Sequence, residues 1–180
     1  MIGVLVSGEG TNLQALLDAR LQVVAVASNE PGVRALERAR MAGVPTAVFS
    51  LRGFATRAQR DETMADWLQE RGVELVVCAG YMHLLEPVFL ERFPGRVVNV
   101  HPAPLPAFPG AHPLEDLLAA GEREAAATVH YVDEGVDTGL VIASEPVPVH
   151  EGDTVETLRE RVHEVEHRLL PQVVRELCER

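Results

Sequence analysis

The sequence predicts an α/β fold built on a doubly wound, mostly parallel sheet, with an antiparallel edge near the C-terminus. Two observations carry this reading. Short Val-rich apolar runs recur at Ile2 to Val6, Val23 to Ala27, Thr46 to Phe49, Leu75 to Cys78 and Val97 to Val100, and runs this continuous suit strands buried on both faces. Between them, Asn12 to Ala19, Val33 to Ala42 and Arg57 to Glu70 place apolar residues three and four apart, the spacing expected of crossover helices.

The opening MIGVLVSGEG has no basic leader before its apolar run and no small-residue cleavage site after it, so it reads as a strand and not a signal peptide. That strand runs into Ser7-Gly8-Glu9-Gly10-Thr11-Asn12, a glycine-rich turn that opens the first helix. After about residue 125 the pattern changes. Ala127 to Val132 and Leu140 to Val149 are extended runs joined by a short loop, which gives the antiparallel edge, and an amphipathic helix from Thr154 to about Leu177 follows. No linker, repeat or low-complexity segment interrupts the pattern. With 180 residues, 47% of them hydrophobic, residues 1–180 are expected to form a single domain with a sizeable core.

Composition narrows the function. A formal net charge of −11 and the lack of any basic block argue against a nucleic-acid partner. All 16 basic residues are Arg, which excludes Schiff-base chemistry and a phosphate-loop lysine. No apolar stretch approaches the roughly 20 residues needed to span a membrane. Cys78 and Cys178 are far apart in sequence and have no metal-ligand neighbours at short spacing, so no disulfide framework is expected and a cytoplasmic location follows.

Ligands of open α/β sheets bind at the carboxyl ends of the strands, which directs attention to the loops Ser7 to Asn12, Ala79 to Leu85 and His101 to His112. The first offers free backbone N–H groups at a helix start, suited to a phosphate. It is not a dinucleotide fingerprint, because Leu13 stands where a third glycine belongs; the alternative is a generic tight turn. Glu9 opposes an anion there unless its side chain turns away. In the third loop, Asn99-Val100-His101-Pro102 leads into four prolines within eight residues. Period-two alternation puts Asn99 and His101 on the same side of the strand end. An amide and an imidazole projecting together can donate hydrogen bonds to an oxygen that becomes negative.

Asp137 lies in an acidic turn between the two late extended runs. A histidine that must be charged or oriented near neutral pH needs a carboxylate beside it, and spacing leaves open whether Asp137 reaches His101. Among the other histidines, His112 and His130 are candidates to lie near the cleft and His150 reads as loop surface. His163 and His167 stand four apart but lack the order of HExxH, so they read as a helix face and no metal site is expected.

Ser-Gly-x-Gly-Thr-Asn at 7–12, Ala-Gly-Tyr-Met at 79–82, Asn-Val-His-Pro at 99–102, Leu-Pro-x-Phe-Pro-Gly at 105–110 and Val-Asp-x-Gly at 136–139 appear together and in this order. On these motifs the sequence resembles the phosphoribosylglycinamide formyltransferases, within the folate-dependent formyltransferase family. The resemblance implies a Rossmann-like formyltransferase fold with Asn99, His101 and Asp137 catalytic. It implies that Gly10, Thr11 and Asn12 hold the ribonucleotide phosphate and that Glu166 meets the ribose or glycinamide end. It further implies that Arg57, Met82, His83, Leu84 and Leu85 lie against the formyl folate, with Asn99 beside it, and that the loop from Val132 and Asp133 to Asp137 receives the pteridine.

The departures from the family pattern are His83 for a usual Arg, Glu9 for a neutral residue, Ala103, Pro104 and Ala107 for Ser, Leu and Lys, and Ala126 for Gly. The implied reaction moves the formyl group of 10-formyltetrahydrofolate, a co-substrate, to 5-phosphoribosylglycinamide in purine biosynthesis. The implied partners are these small molecules, without metal, nucleic acid or membrane, and a homodimer is compatible. The alternatives are a 10-formyltetrahydrofolate hydrolase, whose known members resemble this chain only after an additional N-terminal domain; a formyltransferase acting on aminoacyl-tRNA; and an inactive nucleotide- or folate-binding module.

Overall fold

The structure, a computed structural model, describes residues 1–179. Seven strands in the order β3-β2-β1-β4-β5-β6-β7 form the sheet: β1 (Ile2–Val6), β2 (Val23–Ser28), β3 (Thr46–Val48), β4 (Leu75–Cys78), β5 (Val97–His101), β6 (Glu124–Tyr131) and β7 (Val141–Pro148). Pairings among the first five are parallel, whereas β6 and β7 pair antiparallel. The expected fold class and antiparallel edge are therefore present. The helices are α1 (Thr11–Asp18), α2 (Arg34–Met41), α3 (Arg57–Gln69), α4 (Pro87–Leu90), α5 (Pro113–Ala119) and α6 (Val155–Glu179). The chain divides into two compact units, one ending at Asn99 and the other starting at Val100.

In the first unit, β1 and β4 are buried at every position, which is why their sequences run apolar without alternation. Leu13 and Leu16 of α1 and Ala35, Leu36 and Ala39 of α2 point inward at helical spacing. Thr56 caps α3 by accepting from the Gln59 N–H at 3.1 Å, and the Gln59 side chain accepts from the Ala55 N–H at 3.1 Å. This reciprocal arrangement fixes where α3 starts. The inward face of α3 carries Met64, Ala65 and Leu68, but also Arg60 and Asp61, both fully buried. The turn before α1 requires glycine at position 10. Its φ is +73°, and a Cβ there would lie 2.6 Å from that of Ala35.

In the second unit, α6 packs on β6 and β7 and buries Leu158, Val162, Leu169, Leu170, Val173, Val174 and Leu177. β7 is the edge, and Pro146 and Pro148 within it supply no N–H for further pairing. Two short helices lie in stretches for which the sequence predicted no element. Each opens on a proline, Pro87 for α4 and Pro113 for α5, a residue whose fixed φ suits a helix start. β5 also runs one residue further than expected, so His101 belongs to the strand end.

Candidate active site

In the second unit, His101 is held by the end of β5 and is 4% exposed. Its Nε2 lies 2.8 Å from the Phe108 carbonyl oxygen, and its Nδ1 lies 3.4 Å from Asp137 Oδ2. Both neighbours are acceptors, so only a ring protonated on both nitrogens donates to both. The question left open by spacing is thus answered: the Asp137 carboxylate reaches His101.

Asp137 is the hub of this cluster. Oδ2 also accepts from the Gly110 N–H at 2.9 Å, and Oδ1 lies 3.5 Å from His130 Nε2. Burial by itself pushes the Asp137 carboxyl up. The bonds from His130 and Gly110 and the charges of the two imidazoles outweigh that effect and hold the carboxyl below its ordinary value of 3.8. The residue also sits at φ +53°, a left-handed conformation that Asp tolerates better than most. Asp133 braces the same loop, its Oδ1 accepting from the Gly135 N–H at 3.0 Å and from the Thr138 hydroxyl at 2.6 Å. Phe108 is likewise left-handed at φ +56°, within the proline-rich loop whose carbonyl it turns toward His101. Behind the cluster, buried Thr128 donates to the Ala103 carbonyl at 2.7 Å, which anchors the start of that loop to β6.

His130 carries more of this geometry than its sequence suggested. It is 2% exposed, and its Nδ1 lies 2.8 Å from the Tyr131 carbonyl oxygen. One signal was available: it occupies a strand position beside the turn that carries Asp137. Asn99 sits two residues before His101 on β5, in register with Cys78 of β4. Glu166 is buried on α6, 3.9 Å from His163 Nε2, and the His163 and His167 rings stack at 5.9 Å. Val132 is half-buried and Asp133 exposed.

The first unit contains the other expected residues. Glu9 does turn away from the glycine-rich loop: it is exposed and faces Arg34 at 3.5 Å, while Arg38 Nε donates to its carbonyl at 2.9 Å. Gly10, Thr11 and Asn12 form the turn and first helical residues of α1. The loop after β4 presents Met82, 70% exposed, and Leu84, 48% exposed, while Leu85 is buried beneath them. An apolar pair that open is suited to lie against a flat ligand.

Three polar contacts pin that loop. The Met82 N–H donates to Ser7 Oγ at 2.9 Å, Arg60 Nη1 donates to His83 Nδ1 at 2.7 Å, and the Glu86 N–H donates to Asp61 Oδ2 at 2.8 Å. Arg60 and Asp61 bind each other at 2.6 Å. Arg57 is more exposed and lies 3.6 Å from Glu86. Sequence reasoning assigned no role to Arg60, Asp61, Ser7 or Asn29. The α3 periodicity does place positions 60 and 61 on the face of Met64, Ala65 and Leu68, and charges on a buried face are a readable sign of a polar network.

A model of the formyl transferase family matches residues 1–174. The phosphoribosylglycinamide formyltransferase of Haemophilus influenzae is 37% identical over 180 residues, covering 97% of this chain and 85% of that one. The trifunctional purine biosynthetic protein adenosine-3 of Chironomus tentans is 42% identical over 182 residues; the alignment covers 97% of this chain but spans only 13% of that much longer protein. Among solved structures, glycinamide ribonucleotide transformylase 1 from Symbiobacterium toebii matches with a TM-score of 0.97 at 44% identity, over 99% of this chain and 87% of that one. Fold, motif order and sequence identity agree, and the chain belongs to the formyl transferase family.

Proposed function

We propose that this chain transfers the formyl group of 10-formyltetrahydrofolate to the amine of 5-phosphoribosylglycinamide, in cytoplasmic purine biosynthesis, with residues 1–180 acting as one formyltransferase domain. The single observation that carries the chemistry is the placement of His101 between the Phe108 carbonyl and the Asp137 carboxylate. Support for the acceptor comes from the names of the relatives and from the glycine-rich turn at Gly10, where Glu9 faces Arg34.

The uncharged amine attacks the formyl carbon, and the carbonyl electron pair moves onto oxygen. Asn99 and protonated His101 donate to that oxyanion; His101 does so when its Nε2–H leaves the Phe108 carbonyl. Asp137 favours the imidazolium and relays the proton lost by the attacking nitrogen, through water. Collapse of the intermediate breaks the bond from carbon to folate N10, which takes up a proton. The products are the formamide and tetrahydrofolate, and no covalent enzyme intermediate forms. Gly10, Thr11 and Asn12 hold the phosphate and Glu166 the sugar or glycinamide. Arg57, Met82, His83, Leu84 and Leu85 lie against the folate, whose pteridine meets Val132 and Asp133.

The test is the absorbance change on conversion of 10-formyltetrahydrofolate to tetrahydrofolate, with and without the ribonucleotide. Turnover that requires the ribonucleotide is expected. Equal turnover without it would identify a hydrolase and overturn the acceptor.

A further inference from the structure

Asn29, at the end of β2, has no role in the reaction as described, yet it is 3% exposed and surrounded by polar groups. Its Oδ1 accepts from Ser7 Oγ on one side, and on the other its Nδ2 donates to Glu30 Oε1 at 3.3 Å and lies 3.3 Å from His83 Nε2. The directions of these bonds follow from the one group that has no choice. Arg60 only donates, so the contact of 2.7 Å between its Nη1 and His83 Nδ1 makes Nδ1 an acceptor. The His83 proton then sits on Nε2, facing the Asn29 amide. That amide accepts through oxygen and donates through nitrogen, and the two ends exchange by a flip. Turning the amide over sets its oxygen toward the His83 Nε2–H and its nitrogen toward Ser7 Oγ, reversing the Ser7 bond and giving up the bond to Glu30; Ser7 Oγ has a second lone pair for the Met82 N–H at 2.9 Å.

We propose that Arg60, His83, Asn29 and Ser7 form a directional hydrogen-bond relay that positions the loop of Met82 to Leu85 against the glycine-rich turn following Ser7, with Asn29 as its central positioning residue. The relay links the loop assigned to formyl folate with the turn assigned to the ribonucleotide phosphate, both within the first unit, so it rests on the proposed function for its meaning and on geometry for its existence. Bonds in such a chain polarise one another, so losing the middle member loosens both ends. The surrounding charges agree with a ring that carries a single proton. Burial and the positive charges of Arg60 and Arg57 hold His83 below its ordinary range, against the opposing effect of Glu30 and Asp61.

Two measurements on the full chain test the relay. The first is two-bond 1H–15N correlation of the His83 ring at pH 7 in the ligand-free protein, expected to give the Nε2–H tautomer. An Nδ1–H tautomer or a doubly protonated ring would overturn the relay, whether or not the protein turns over formyl folate. The second is steady-state kinetics of Asn29→Ala. Loss of one or two hydrogen bonds that touch neither reacting atom is expected to raise KM about 5- to 10-fold for both substrates with kcat changed less than about threefold. A KM change for one substrate alone, or a fall in kcat alone, would contradict it. Absence of turnover in the wild type, together with the Nε2–H tautomer, would remove the proposed function and leave the relay standing.

Discussion

The polar groups behind the loop of Met82 to Leu85 and those around Asp137 are built for different tasks. In the first unit, Arg60 and Asp61 are fully buried, lie 2.6 Å apart, and each makes a further short bond to the loop they support. In the second unit, Asp137 stands 3.4 and 3.5 Å from two imidazoles and accepts a shorter bond, 2.9 Å, from the Gly110 N–H. Short bonds between a fixed donor and a fixed acceptor hold a backbone in place. Longer contacts among groups that exchange protons leave the ring nitrogens able to change partners during a reaction. The first arrangement should therefore fail as loss of fold, and the second as loss of rate.

The largest expected effect tests the first half of this contrast. Arg60→Met leaves the Asp61 carboxylate buried without its guanidinium, and breaking a buried pair from one side costs about 3–5 kcal/mol. Chemical denaturation should show a fall of that size. A change under about 1 kcal/mol would mean that the pair does not brace the loop.

His130→Ala tests the other half. Removing one donor from the Asp137 carboxylate should lower kcat about 10-fold, the worth of one hydrogen bond to a charged group, with little change in denaturation midpoint. A large stability loss with unchanged kcat would assign His130 to the core.

A smaller effect is expected in acid. Because the Asp137 carboxyl is held below its ordinary 3.8, its contribution to stability is fully present above that value and lost as pH falls through the lower, folded-state value. The difference in Tm between wild type and Asp137→Asn should therefore shrink as pH drops from 5 to about 3. A difference that stays constant over this range would show that the carboxylate charge is not what the cluster stabilises.

The smallest effect concerns the two cysteines. Cys78 is buried on β4 and its thiol is pushed up to about 12 by that burial, whereas Cys178 is exposed. Under native conditions at pH 8, a thiol reagent should label Cys178 alone, without altering activity. Labelling of Cys78 at a similar rate would show that the sheet opens.

The sequence exposed the frame because the frame is written in hydrophobic periodicity: continuous Val runs for β1 and β4, and three- and four-residue spacing for α1 and α2. Asn99 and His101 were visible for the same reason, since alternation along a strand end is local. The reach of Asp137 was not, because it depends on how the turn at 132–139 folds back under φ +53° at Asp137 itself. His130 and Arg60 were harder. Each is a polar residue on a buried face, and what decides its role is a partner elsewhere in the chain: Asp137 for His130, seven residues on across a turn, and His83 for Arg60, across a helix and a strand. α4 and α5 were missed because helices of four and seven residues opened by proline carry too little periodicity to register.

The most direct test of the account is the kcat of His101→Ala for ribonucleotide-dependent formyl transfer, measured beside its circular dichroism spectrum and Tm. A fall on the order of 100- to 1000-fold is expected, the cost of losing one oxyanion donor, with spectrum and Tm close to wild type. A variant with turnover within about threefold of wild type would contradict it, because the contact between His101 and Asp137 would then be structural and the chemistry would lie elsewhere.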